Sequence, residues 1–196
     1  MLQIDVMALG AYQTNCYLVS APGSDRCLII DPGYEANAIK TRLRQRELTP
    51  DAILLTHGHF DHVGAVRELA MDFDCRVFLC PEDLSMPPMM TAGPLFYTDT
   101  YGEGDCLTLA GLPFRVFHTP GHTPGSVCLL FENQLFSGDT LFAGSCGRTD
   151  LPGGSQAAIR KSLKRLAEMQ ENYTVLPGHG QVTTLDEERK YNPYLR

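Results

Sequence analysis

Four short polar segments, each placed directly behind an apolar run, carry five of the chain's six histidines: THGHFDH at 56–62, TPGHTPG at 119–125, SGDT at 137–140 and LPGHG at 176–180. Segments that follow strands collect at strand ends, so a fold with these strands in neighbouring sheets brings the four together. Imidazole and carboxylate are ligands that zinc and similar divalent ions prefer, and no thiolate-rich spacing suggests a structural cysteine site. His57 and His59 lie two residues apart, so in an extended segment both point to one side and can grip one ion. Asp61 and His62 fall where the chain turns into a helix and face elsewhere, toward a second ion. Asp139 is the natural carboxylate to be shared, holding two ions roughly 3.5–4 Å apart as in two-metal hydrolysis. His118, the sixth histidine, ends a strand and reads as a supporting or surface residue rather than a ligand.

The runs around these segments set the architecture. Period-two or continuously apolar stretches predict strands at 2–9, 15–20, 27–31, 52–56, 76–80, 106–109, 114–118, 127–131, 134–137 and 174–176. Helices are predicted at 36–48, closed by Pro50, and at 63–71, 155–169 and 185–191. Residues 86–104, rich in Pro, Met, Thr and Gly, show no period and read as a long loop of the kind usually kept for function. Strands followed by helices, twice over, predict two packed sheets with helices outside, in one domain spanning 1–196.

Charge and cysteine usage exclude several partners. A formal net charge of -7 gives no positive field to gather nucleic acid or anionic lipid. The one basic cluster, Arg160, Lys161, Lys164 and Arg165, fits the solvated face of an amphipathic helix. Seven cysteines without a CxxC pair predict a reduced, cytoplasmic protein. The start MLQIDVMALG has no signal-peptide character, and no apolar run reaches membrane-spanning length.

The motifs THGHFDH, TPGHTPGS, SGDTLFAGSCGRTDLPGG and LPGHG resemble those of the metallo-β-lactamase superfamily, and within it the short bacterial hydroxyacylglutathione hydrolases (glyoxalase II). The resemblance implies an α+β fold, an αββα four-layer sandwich of two mixed sheets. It implies two divalent metal ions, zinc foremost, with iron or manganese also accepted by such ligands. It assigns His57, His59 and His122 to the first ion, Asp61, His62 and His179 to the second, and Asp139 to both; spacing alone places neither His122 nor His179. The implied reaction is hydrolysis of a small-molecule thioester such as S-lactoylglutathione by metal-activated hydroxide, with Asp61 also positioning the nucleophile.

The same resemblance leaves substrate choice open. Longer hydroxyacylglutathione hydrolases carry a C-terminal helical region with glutathione-binding groups, whereas 17 residues follow His179 here, so no thiol-binding site carries over. GSCGRTD is shared with persulfide dioxygenases, which use one iron on residues matching His57, His122 and Asp139; LPGHG favours the hydrolases. Lactones and other esters suit the same site. Arg148 matches a position that is basic in glutathione-using relatives, and either holds a substrate carboxylate or pairs with Asp150. Cys146 reads as a small packing thiol. Tyr97 and Tyr101 are candidates for the substrate entrance or for packing.

Overall fold

The structure, a computed structural model, describes residues 1–195. Its first three strands, β1 (Gln3–Leu9), β2 (Thr14–Ser20) and β3 (Arg26–Ile30), pair antiparallel in sequence order. Beyond β3 the same sheet continues in parallel. Parallel neighbours need a crossover. Helix α1 (Ala36–Gln45) supplies it before β4 (Thr49–Leu54). Helices α2 (Phe60–Val63) and α3 (Val66–Phe73) supply it before β5 (Arg76–Leu79). A single helical turn, α4 (Pro88–Thr91), then leads to the edge strand β6 (Asp99–Thr100).

The second sheet begins with four antiparallel strands: β7 (Cys106–Leu109), β8 (Leu112–His118), β9 (Val127–Phe131) and β10 (Gln134–Gly138). A small hairpin of β11 (Leu141–Phe142) and β12 (Ser145–Cys146) follows, then the long helix α5 (Gln156–Ala167). Strand β13 (Thr174–Pro177) returns parallel to β10, with β14 (Thr183–Thr184) at its edge and α6 (Leu185–Tyr191) behind. Both sheets are therefore mixed, and helices cover their outer faces, as the sequence predicted.

Alternation along the strands builds the layers. In β3, Leu28 and Ile30 point between the sheets and meet Phe78, Phe131 and Phe136, while Ile29 points outward into the cluster beneath α1 and α3. On the far side, Cys128, Leu135 and Val175 of the second sheet meet Ile159, Leu163 and Leu166 of α5 and Leu185 of α6. Each fully buried aliphatic of this kind contributes about 1.5–3 kcal/mol.

Three expectations change. The stretch 86–104 is not one structureless loop: it holds α4 and β6, and Arg76 pairs with Asp99 across the short ladder. A one-turn helix and a two-residue strand are too short to show a period. Pro50 does not close a helix. Helix α1 stops at Gln45, and Pro50 lies inside β4 opposite Cys27, where the register shifts before Leu28 pairs with Ala52; a residue without an N–H is tolerated at such a bulge. The helix expected at 63–71 begins earlier and breaks near Gly64. Ala65 N–H donates to the Pro32 carbonyl instead of continuing the helix.

That break marks a close backbone contact. A Cβ on Gly33 would overlap the Asp61 carbonyl oxygen, and one on Gly64 would overlap the Gly33 carbonyl. The turn after β3 thus presses directly on the segment that carries Asp61 and His62. Gly33→Ala is expected to cost about 1–3 kcal/mol, the range for overpacking, read as a lower denaturation midpoint. An unchanged midpoint would show that the contact is loose.

Candidate metal centre

Histidines and aspartates converge where β4, β8, β10 and β13 end. β4 runs into Thr56–His62, β8 into the loop bearing His122, β10 into Asp139, and β13 into His179. Two backbone contacts lock these ends across the sheets: Val127 N–H donates to the Thr56 carbonyl at 2.8 Å and Asn15 N–H to the Gly178 carbonyl at 2.7 Å. The Asn15 side chain and the Tyr17 hydroxyl add bonds to the Pro177 carbonyl at 3.0 and 2.6 Å.

All seven residues named from the sequence come together. Ligand atoms of His57, His59 and His122 lie within 4.8 Å of one another, as do those of Asp61, His62 and His179. Asp139 stands between the groups: Oδ2 is 3.4 Å from His122 Nε2 and 3.5 Å from His179 Nε2, and Oδ1 is 3.4 Å from His62 Nε2. Gly178 makes room for this meeting, because a Cβ there would strike both Asp139 Oδ1 and His62 Cε1.

The outer ring nitrogens are already engaged. His62 Nδ1 donates to Asp31 Oδ2 at 2.9 Å, His122 Nδ1 to the Arg148 carbonyl at 2.8 Å, and His179 Nδ1 to the Tyr12 carbonyl at 3.0 Å. His57 Nδ1 lies 3.2 Å from Thr56 Oγ1, which donates to Asp31 at 2.5 Å. Such bonds fix the tautomer and turn the Nε2 lone pair of each ring inward.

Inside the cluster, protein partners run out. His57 Nε2, His59 Nε2 and Asp139 Oδ1 are buried without a hydrogen-bond partner, although buried polar atoms are normally satisfied. His59 Nδ1 faces His122 Nε2 at 2.8 Å, and His62 Nε2 faces His179 Nε2 at 3.3 Å. Lone pairs directed at lone pairs are repulsive unless a proton or a cation lies between. This donor set fits two cations.

Electrostatics separate the two halves. Burial, then the neighbouring imidazoles, pushes His57 down, and burial with His122 lowers His59 to about 4. Those two rings are neutral at pH 7. Burial opposes charge on His62 too, but Asp139 and Asp31 outweigh it and raise the ring to about 9. Asp61 is also opposed by burial and is nevertheless held below the usual carboxylate range by His179 and His62. The second half is therefore a concentration of negative potential in which protons take the place of metal charge.

Two supporting carboxylates escaped the sequence reading. Asp31 follows β3 in an Asp-Pro-Gly turn and accepts from Thr56 N–H, Thr56 Oγ1 and His62 Nδ1. Asp83, in a short 3-10 turn at Pro81–Ser85, accepts from Gly58 N–H at 2.7 Å, Gly125 N–H at 2.6 Å and Thr123 Oγ1 at 3.0 Å, which ties the His57–His59 loop to the His122 loop. An acidic residue closing an apolar strand was the available signal for Asp31; nothing local marked Asp83.

A pocket of about 370 Å³ opens onto the centre, lined by Tyr12, Phe60, Met90, Phe142 and Leu151 beside the ligand residues. Tyr101 is not at this entrance: it is buried, and its hydroxyl donates to the Leu55 carbonyl. Tyr97 is exposed and does not line the pocket. Arg148 lines the pocket while making a two-pronged pair with Asp150, both bonds 2.7 Å. His118 stands outside the cluster; its Nε2 donates to the Pro124 carbonyl and steadies the His122 loop.

The chain matches the metallo-beta-lactamase superfamily over residues 9–179. It belongs to that superfamily. The hydroxyacylglutathione hydrolase GloC of Haemophilus influenzae is 33% identical to it, covering 99% of this chain and 98% of that protein. Among solved structures, the B3 metallo-beta-lactamase BLEG-1 aligns with a TM-score of 0.90 at 38% identity, covering 98% of this chain and 99% of that one. The di-iron-bound form of TTHA1623 aligns with a TM-score of 0.84 at 41% identity, covering 97% and 100%. Together with the orphaned donors, these likenesses indicate a binuclear metal centre in this superfamily member.

Asp31→Asn removes the negative charge and one of the two acceptor oxygens that hold Thr56 and His62. It is expected to weaken binding of one of two metal equivalents by about 10–100-fold, measured by titration against a competing chelator. Equal affinity for both equivalents in variant and parent would assign Asp31 to folding alone.

Proposed function

We propose that this protein hydrolyses thioesters of small acyl groups, glutathione thioesters such as S-lactoylglutathione being the leading class. The carrying observation is the position of Asp139 between two complete ligand groups, with a small pocket opening over both. In this reading His57, His59 and His122 would hold one divalent ion and Asp61, His62 and His179 the other, with Asp139 placed to serve both. The likeness to a protein named hydroxyacylglutathione hydrolase supports the substrate class.

Bound divalent ions supply two things, acidified water and polarisation of a carbonyl oxygen. The chain's own groups do the rest. Asp61 Oδ2, fixed by the Thr14 hydroxyl at 3.1 Å, would accept a hydrogen bond from the attacking water and keep it directed at the carbonyl carbon. Tyr12 and Phe60, edge to face at 5.3 Å, give the pocket an apolar wall. Because a thiolate leaves readily, no strong general acid is needed. Arg148 stands where a carboxylate of the substrate can exchange for Asp150.

Chelation is expected to abolish hydrolysis, and adding back zinc, iron or manganese to restore it. Asp139→Asn is expected to lower kcat by roughly 100-fold or more, the scale of losing one preorganised electrostatic group in a dry site, with metal content falling in parallel. The decisive assay sets S-lactoylglutathione hydrolysis beside persulfide-dependent oxygen uptake on one metal-quantified preparation. Oxygen uptake with one iron per chain, without thioester cleavage, would replace this reading by the dioxygenase one. Cleavage of a β-lactam alone would place the chain with BLEG-1.

A further inference from the structure

The metal pocket shares part of its wall with a second cavity. Cys146 and Arg148 line both, and the second has a volume of about 950 Å³. One face of α5 forms the floor of this cavity, with Arg160 and Lys164 one turn apart on it. The segment Pro193–Leu195 lies across from them.

The basic cluster read from the sequence as one solvated helix face is therefore divided. Arg165 pairs with Glu103 on the other side of the helix, away from the cavity. Of the cations on the cavity side, Arg148 is paired with Asp150, and Lys164 reaches Glu168 only at 3.8 Å, with both side chains exposed. Arg160 has no hydrogen bond or ion pair among the described residues. Among the described residues that line the cavity, three cations against two carboxylates leave an excess of positive charge beside the metal pocket of a chain whose net charge is -7.

Size argues the same way. Both volumes, about 370 and about 950 Å³, fall within the roughly 300–1,000 Å³ of small-molecule sites, and the larger leaves room for an extended arm beyond the reacting carbonyl. Resting on the thioester reading, we propose that this cavity binds the thiol arm of the substrate, and that the arm is anionic. Arg148 at the junction and Arg160 with Lys164 on α5 hold its carboxylate or phosphate groups. The γ-glutamyl and glycyl carboxylates of glutathione and the phosphates of coenzyme A share this chemistry.

The test uses the metal-loaded full chain and the double variant Arg160→Glu/Lys164→Glu, both positions being exposed. Three thioesters are compared: S-lactoylglutathione, acetyl-coenzyme A and the uncharged S-acetyl-N-acetylcysteamine. For whichever anionic thioester the parent prefers, the ratio of its kcat/KM to that of the uncharged one is expected to fall by about tenfold or more in the variant, chiefly through KM. The preferred anion identifies the source. A ratio that stays the same, or a parent with no preference for either anion, overturns the proposal.

If the parent cleaves no thioester at all, the proposed activity falls and the cavity is judged by binding alone. Calorimetry with S-hexylglutathione and with coenzyme A then decides: binding to the parent that is lost in the variant upholds an anion site, and equal or absent binding in both removes it.

Discussion

Buried donors that the polypeptide cannot satisfy are the constraint on which this structure turns. His57 Nε2, His59 Nε2 and Asp139 Oδ1 are each buried without a hydrogen-bond partner. Leaving such groups unpaired costs on the order of 1–3 kcal/mol each, and a fold of marginal stability cannot carry several without return. Two cations offset that cost and convert a weak point of the apo chain into its reactive centre. The pairs of imidazole nitrogens that face each other at 2.8 and 3.3 Å express the same requirement.

Holding these donors in place falls to elements outside the cluster. Asp31 fixes Thr56 and His62 together, and through Thr56 also reaches His57. Asp83 joins two ligand loops by their backbone amides. Gly33 and Gly178 let backbone and ligand groups approach where any side chain would intrude. The two sheets meet at Val127 and Asn15 through single backbone bonds to the opposite ligand loop. The centre is thus braced from both sheets, and its geometry belongs to the sandwich as a whole rather than to any one motif.

Reactivity and selectivity have separate structural homes. The donors and the aromatic wall lie at the strand ends, where the sheets fix them. The groups proposed to distinguish one thiol from another lie on the β12 to α5 segment and on α5, which packs against the outer face of the second sheet. On that proposal, changes on the helix would alter substrate preference without moving a metal ligand, in a superfamily that carries names as different as a glutathione hydrolase and a β-lactamase.

By itself the sequence marked the main strands and helices and the four polar segments that carry the cluster, because period, burial and ligand chemistry are local properties written in runs of a few residues; the places of His122 and His179 came from the family resemblance. Short elements such as α4 and β6 were illegible, being no longer than a turn or a pair of residues. Pro50 misled because a bulge made by two strands excused it. Tertiary structure alone decided that Asp83 braces the centre, that Tyr101 is core while Tyr12 and Phe60 are wall, and that Arg160 faces a cavity while Arg165 faces Glu103. Each depends on which distant segment lies opposite, and a side chain's partner across a fold is fixed by packing, which no local pattern records.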